Sequence, residues 1–282
     1  MSTSAMTSNW TRVGTVPPVG LVDARLQLHH AAQIAVSAAI SYLTARSDDS
    51  HTALTWIAPL RALATAPIAA MQPLRVAVRV EDLTLHVIDE QGIATRSFAL
   101  PGHTLADGHA WLGEVLAQAA LDPARLTARK HYTIPSHPVA SGKAFSLGGA
   151  ELRELANYWS NAAALLTALA HATADAGPVL TWPHHLDIAT LIQLPGTDGR
   201  TIGVGQSPGD DSYAEPYWYV GPYPYPPVTA LPPLAGSGHW HTKGWVGAAL
   251  PASDYVSTSD QRSQVGAFID SAVSACRQLL GA

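Results

Sequence analysis

The chain holds a single cysteine, Cys276, among 282 residues, and Lys, Arg, Asp and Glu together make up only 13% of it. One thiol excludes an intramolecular disulfide framework and any thiolate-cluster metal site. Such cysteine usage points to a reducing, cytoplasmic setting. The 16 Lys and Arg are scattered and outweighed, to a net charge of -5, so there is no electrostatic reason to expect a phosphate-binding face, and nucleic acid is not an expected partner. Long apolar runs are missing too. The most apolar helical stretch, 31–43, is shorter than the about 20 residues that span a bilayer, which argues against a membrane role. The opening residues are rich in Ser and Thr and have no apolar centre, so 1–20 reads as a disordered leader and not as a signal peptide.

What is present is a 47% hydrophobic content, enough for a large core in one compact domain. Apolar spacing predicts a long helix from Leu21 to Ala45 carrying His29 and His30, and a strand with an irregular end over 53–68. Leu74 to Val80, Leu83 to Ile88 and Ile93 to Leu100 alternate and are joined by short turns, an antiparallel meander. A helix from Asp107 to Leu121 closes a first unit, 21–121. The stretch 122–148 is polar, aperiodic and reads as a connector. A second unit, 149–282, repeats the layout. It has a helix from Gly149 to Ala174, strands over Val179 to Leu194, Thr201 to Gln206, Tyr217 to Val220 and Trp245 to Leu250, and a closing helix from Ser257 to Leu280. Ser257, Thr258 or Ser259 is the expected N-cap and Gly281 the stop. The expected fold class is α+β, with two duplicated helix, strands, helix units, a mainly antiparallel sheet and the long helices on one side. Turns this short exclude the crossovers of a parallel doubly wound sheet.

The repeat extends to identities. Leu54-Thr55-Trp56 recurs as Leu180-Thr181-Trp182, 126 positions on, and the same offset places Leu60 on Leu186, Val76 on Ile202 and Val78 on Val204. A register of this kind suggests internal duplication. The copies differ where the first has Ile57, Ala58, Pro59 and Arg61 and the second has Pro183, His184, His185 and Asp187. The second also carries a long insertion from Ser207 to Gly244. Chemistry is therefore expected in the second copy.

Period-two alternation along a strand puts His185 and Asp187 on one face and leaves His184 among apolar neighbours, a possible but lesser ligand. His239 and His241 are also two apart. Three imidazoles and a carboxylate suit a divalent transition metal such as Zn or Fe, with Glu215 as acid or base and Tyr217, Trp218, Tyr219 and Trp240 lining a pocket for a small-molecule substrate. The same residues admit other readings. A His and Asp pair can work as base and orienter without metal, half-buried histidines can be purely structural, and the aromatic, proline-rich run from Tyr213 to Pro227 can pack as an arm on its own domain or against a second subunit.

Several short motifs resemble an uncharacterised bacterial family classed as a domain of unknown function. They are Leu28-His29-His30-Ala31-Ala32-Gln33-Ile34, Leu60-Arg61-Ala62-Leu63-Ala64-Thr65-Ala66-Pro67-Ile68, Asp187-Ile188-Ala189, Ser207-Pro208-Gly209, the Tyr217-Trp218-Tyr219 to Pro224 loop, and Leu250-Pro251. The resemblance implies a shared whole-chain fold and no assigned activity. It also implies that Asp187 is the shared position, whereas His184 and His185 belong to one branch.

Three functions are therefore expected to compete: a metal-dependent enzyme with its site in the C-terminal half, a non-catalytic module binding an organic ligand or haem, and a structural or homo-oligomerising protein. No GxGxxG, P-loop or nucleophile-elbow motif follows a strand, so nucleotide binding and serine hydrolysis have no support.

Overall fold

The computed structural model describes residues 10–146, 149–196 and 199–282. Among these residues the first half runs α1 (Val22–Tyr42), β1 (Thr55–Ile57), β2 (Ala62–Ala64), β3 (Arg75–Arg79), β4 (Thr84–Ile88), β5 (Ala94–Ala99) and α2 (Leu105–Gln118). The second half runs α3 (Ala150–Ala172), β6 (Leu180–Trp182), β7 (Asp187–Gln193), β8 (Thr201–Ser207), β9 (Tyr217–Tyr223), β10 (His239–His241), β11 (Gly247–Pro251) and α4 (Gln261–Leu280). All pairings between these strands are antiparallel, in a five-stranded sheet β1-β2-β3-β4-β5 and a six-stranded sheet β10-β11-β9-β8-β7-β6. The α+β expectation holds. None of the described helices is long and apolar enough to cross a membrane.

The two sheets meet edge to edge. Leu54 and Thr181 exchange both backbone hydrogen bonds, at 2.9 and 2.7 Å, so the first strands of the two meanders shield each other's free edges. A single apolar core runs under both sheets, taking Leu63, Val76, Val78 and Leu85 from one and Ile188, Ile202, Val204 and Trp218 from the other. From Gln27 to Ala39 every residue of α1 is buried, because Ala, Leu, Ile and Val cover that stretch on every side. It packs on β3 and on α3, while α3 lies against β1, β7 and β8, and α4 against β8, β9 and β11.

The two long strands expected over 53–68 and 179–194 are in fact hairpins. Trp56 pairs with Leu63 in one and Thr181 with Ile188 in the other, each around a four-residue turn, 58–61 and 183–186. The last turn residue is left-handed in both: Arg61 at φ 49° and Leu186 at φ 59°. That conformation costs a non-glycine residue about 1–2 kcal/mol, so neither turn carries the Gly or Asn that normally marks one. Leu186 recovers that cost through complete burial.

Three smaller expectations also shift. The final helix starts at Gln261 on an Asp260 cap, whose carboxylate accepts from Ser263 N at 3.0 Å, and Ser257, Thr258 and Ser259 lie before it. Gly281, left-handed at φ 70°, stops the helix as expected. Residues 1–9 of the expected leader lie outside the described residues, but 10–20 is fixed structure, with Val13 buried and Pro18–Leu21 a 3-10 turn leading into α1. Within the run from Tyr213 to Pro227, Tyr217–Tyr223 forms β9, which lies between β8 and β11 inside the sheet.

Candidate functional site

His184 and His185 sit in the β6–β7 turn and not on a strand. The left-handed Leu186 between His185 and Asp187 breaks the alternation that would have aimed the two side chains together. His185 is exposed; its ring lies 4.6 Å from that of His184, which packs edge-on to Tyr132 and Trp182. From below, α1 grips the turn. The Pro183 carbonyl accepts from His29 Nε2 at 2.9 Å and from Gln33 Nε2 at 3.0 Å, and Gln33 Oε1 accepts from the Tyr132 hydroxyl at 2.9 Å. A carbonyl only accepts, so the neutral His29 ring carries its proton on Nε2. Burial lowers the His29 pKa to about 4.

Asp187 opens β7, and its partner comes from two strands away. The Tyr219 hydroxyl on β9 donates to Asp187 Oδ2. The ring reaches there by lying across Gly205 on β8: a Cβ at 205 would stand 2.5 Å from the Tyr219 hydroxyl oxygen and 2.8 Å from Ala189 Cβ. Burial raises the Asp187 pKa, a shift that the Tyr219 hydrogen bond opposes, and burial raises that of Tyr219 as well. Nearby, Tyr217 donates to Asp210 Oδ2 at 2.5 Å. Arg25 on α1 donates to the Gly209 carbonyl at 2.5 Å, and its buried Nε has no hydrogen-bond partner among the described residues.

A second cluster surrounds Tyr213. Its hydroxyl lies 2.9 Å from His239 Nε2 and 3.0 Å from His241 Nδ1, while His241 Nε2 lies 2.6 Å from the Lys243 carbonyl. The Lys243 carbonyl fixes the directions. His241 must donate from Nε2, so in the neutral ring Nδ1 accepts from Tyr213, and Tyr213 in turn accepts from His239. Trp245 stacks on His241 with ring centres 4.3 Å apart. Tyr213 and Tyr217 are 4.7 Å apart and Tyr217 and Tyr219 6.3 Å, so one chain of rings links the Asp187 end to the Trp245 end.

The expected metal ligands do not converge. Asp187 on β7 and His239 and His241 on β10 are separated by β8, β9 and β11, about 19 Å at the usual strand spacing of about 4.8 Å. Both His241 nitrogens are already engaged. Among the described residues, no three His, Cys, Asp or Glu side chains are placed to hold a metal ion. The Zn or Fe site drawn from His185, Asp187, His239 and His241 is therefore not assembled, and the lesser ligand His184 belongs to the turn. Glu215, expected as acid or base, accepts from Ser253 N and Oγ at 2.6 and 2.9 Å and anchors the turn after β11. Trp218 points into the core, and Trp240 donates to the Pro232 carbonyl at 2.7 Å while packing on the core. Of the expected pocket residues, Tyr217 and Tyr219 remain on the site.

Neither family models, nor curated proteins, nor solved structures match this chain. Function has to be read from the site itself.

Sequence reasoning missed Tyr213, Trp245 and the glycines. Side chains alternate, so with Ile188, Val204, Trp218 and Leu250 in the core, the opposite face of the second sheet carries Asp187, Gly203, Gly205, Tyr217, Tyr219 and Gly221. Leu191 pairs with Gly203 and Gly203 with Gly221. A Cβ at 221 would meet no atom within 4 Å, so the backbone there is bare, rimmed by Leu191 and Tyr223, which are 43% and 64% exposed. The signal lay in the period-two glycines of Gly203-Val204-Gly205 facing the period-two tyrosines of Tyr217-Trp218-Tyr219.

Proposed function

We propose that this chain is a non-catalytic binding module that holds a small molecule bearing a flat ring on the outer face of its second sheet. One observation carries the reading. Tyr219, Tyr217, Tyr213, His241 and Trp245 form a contiguous array whose polar tips are all held by protein partners, beside the bare backbone at Gly221. Tyr213, Tyr219, His241 and Trp245 are half-buried and, fixed in this way, give stacking surface at little further entropic cost, with the buried Tyr217 supporting them. The metal-dependent enzyme reading has weaker support, because Asp187 on β7 is separated by three strands from His239 and His241 on β10 and is only 8% exposed.

The duplicated architecture belongs to the same proposal. Both halves keep the order helix, hairpin with a left-handed fourth turn residue, meander, helix, and only the second grew the ring-bearing insertion. On this reading the first copy supports and the second binds. The resemblance to the uncharacterised bacterial family adds no chemistry to this reading.

The test is ligand-observed NMR with a library of ring-bearing polar compounds against wild type, Trp245→Ala and Gly221→Leu. Binders should be found with wild type and lost in both variants at unchanged melting temperature, since position 221 has room for a side chain. A library without binders, or binders indifferent to both substitutions, overturns the proposal.

A further inference from the structure

The segment Trp10 to Thr15 belongs to no helix or strand and is held by side chains of α3 and α4 in the groove between them. Asn161 on α3 accepts from Thr11 N at 2.9 Å and donates to Thr11 O at 2.7 Å. Gln261 at the start of α4 does the same for Val13, accepting from its N at 3.0 Å and donating to its O at 2.7 Å. In an extended chain the N–H and C=O of residues two apart point the same way, so two side-chain amides stand in for a neighbouring strand. Glu154 then accepts from the amides of Gly14 and Thr15, and Arg12 donates to the carbonyls of Thr258 and Val256.

These clamps read backbone, which every peptide has. Sequence enters at three points. Trp10 Nε1 donates to Gln261 Oε1 at 3.1 Å, Val13 is buried, and Gly14 is left-handed at φ 100° with Val256 Cβ 2.7 Å from where its own Cβ would be. Asn161, Gln261 and Glu154 are each at most 3% exposed, so an emptied groove would strand buried polar groups. The groove is built to hold some extended chain at all times. The link from the segment to α1 is stiff, because Val16-Pro17-Pro18 runs straight into the 3-10 turn before that helix, with Pro17 at φ -52° and ψ 132°. The hinge is short and its Pro17 is locked in an extended conformation, which leaves little chain to fold the segment back and favours its exchange between molecules.

We propose that the groove between α3 and α4 is a peptide-binding site whose exchangeable occupant is the Trp10 to Thr15 segment, and that the partner it takes in trans is the same segment of a second copy. Two full-length variants test it. One carries a damaged segment, Trp10→Ala with Val13→Asp; the other a damaged groove, Asn161→Ala with Gln261→Ala. Each should be monomeric alone, and their mixture should give a one-to-one complex in native mass spectrometry, lost when Gly14→Val is added to the groove-damaged chain. If the groove-damaged chain fails to fold by circular dichroism, a labelled peptide of residues 9–16 titrated against the segment-damaged chain replaces the mixture, and if the segment-damaged chain fails, the peptide is titrated against wild type. Its affinity should fall by about tenfold on adding Asn161→Ala alone, as the loss of buried hydrogen bonds requires. Folded variants that neither form the mixed complex nor bind the peptide overturn the proposal, and so does peptide binding that is indifferent to Asn161→Ala.

Discussion

The Tyr219 hydroxyl donates to the Asp187 carboxyl across an intervening strand, and it reaches because that strand carries Gly205 beneath the ring. An alanine methyl at 205 would overlap the Tyr219 hydroxyl and Ala189 Cβ. Gly205→Ala should therefore destabilise the fold by about 2 kcal/mol in urea unfolding, through strain and a lost buried hydrogen bond. Gly221→Ala on the next strand meets nothing within 4 Å and should stay within about 0.5 kcal/mol of wild type. Equal effects at the two glycines would mean that Tyr219 does not need the gap.

Asp187 should make stability fall as pH rises. Its folded-state pKa lies above the ordinary 3.8, so the folded protein binds this proton more tightly than the unfolded chain does. The resulting stabilisation is complete below the unfolded pKa and fades as pH climbs through the folded one. Other carboxylates, such as Asp23 and Asp82, are shifted down and act oppositely, so the informative quantity is a difference. The stability of Asp187→Asn relative to wild type should rise as pH climbs above the ordinary carboxylate value of 3.8 in urea titrations. A flat difference would show that the carboxyl is not desolvated.

How much of this was legible beforehand differs by element. Helix α1 and the meander β3 to β5 follow from local periodicity, and Asp187 stood out as a carboxyl beside an apolar run. The hairpins did not, because their left-handed positions fell to Arg61 and Leu186, which give no turn signal. The partner of Asp187 was hidden for another reason: only the β8 register brings Tyr219, 32 residues away in sequence, to it. The two histidine pairs were equally visible and equally misleading, since sequence cannot count the strands laid between them. The segment Trp10 to Thr15 looked unstructured because its partners, Asn161 and Gln261, are about 150 and 250 residues distant.

His29 carries the opposite pH dependence. Burial lowers its pKa from 6.5 to about 4, so the folded state resists protonation that the unfolded chain accepts. Stability is intact above pH 6.5 and should drain away as pH falls from there to about 4, by about 3 kcal/mol in all. His29→Gln removes the titrating ring while keeping an amide donor for the Pro183 carbonyl. Wild type minus His29→Gln, measured by urea unfolding across that window, should slope downward toward acid. A difference that does not vary with pH would place the proton elsewhere.

One substitution should stabilise the chain. Helix α2 begins on a Thr104 and Asp107 capping box and ends in a Schellman motif, with Leu121 N bonded to Leu116 O and Ala120 N to Ala117 O, both at 3.0 Å. The residue between the last helical turn and Leu121 is Ala120, left-handed at φ 60° and exposed. Glycine adopts that conformation without the steric cost that alanine bears, and Ala120 buries no side chain whose loss would offset the gain. Ala120→Gly should add about 1 kcal/mol and raise the melting temperature by about 2 °C. At the other end of the same helix, Thr104→Ala deletes the cap and should cost about 1 kcal/mol. The two changes share one helix and act at opposite ends, so in the double variant they should nearly cancel. A calorimetric scan in which Ala120→Gly lowers the melting temperature would show that the strain at position 120 is relieved by something other than glycine.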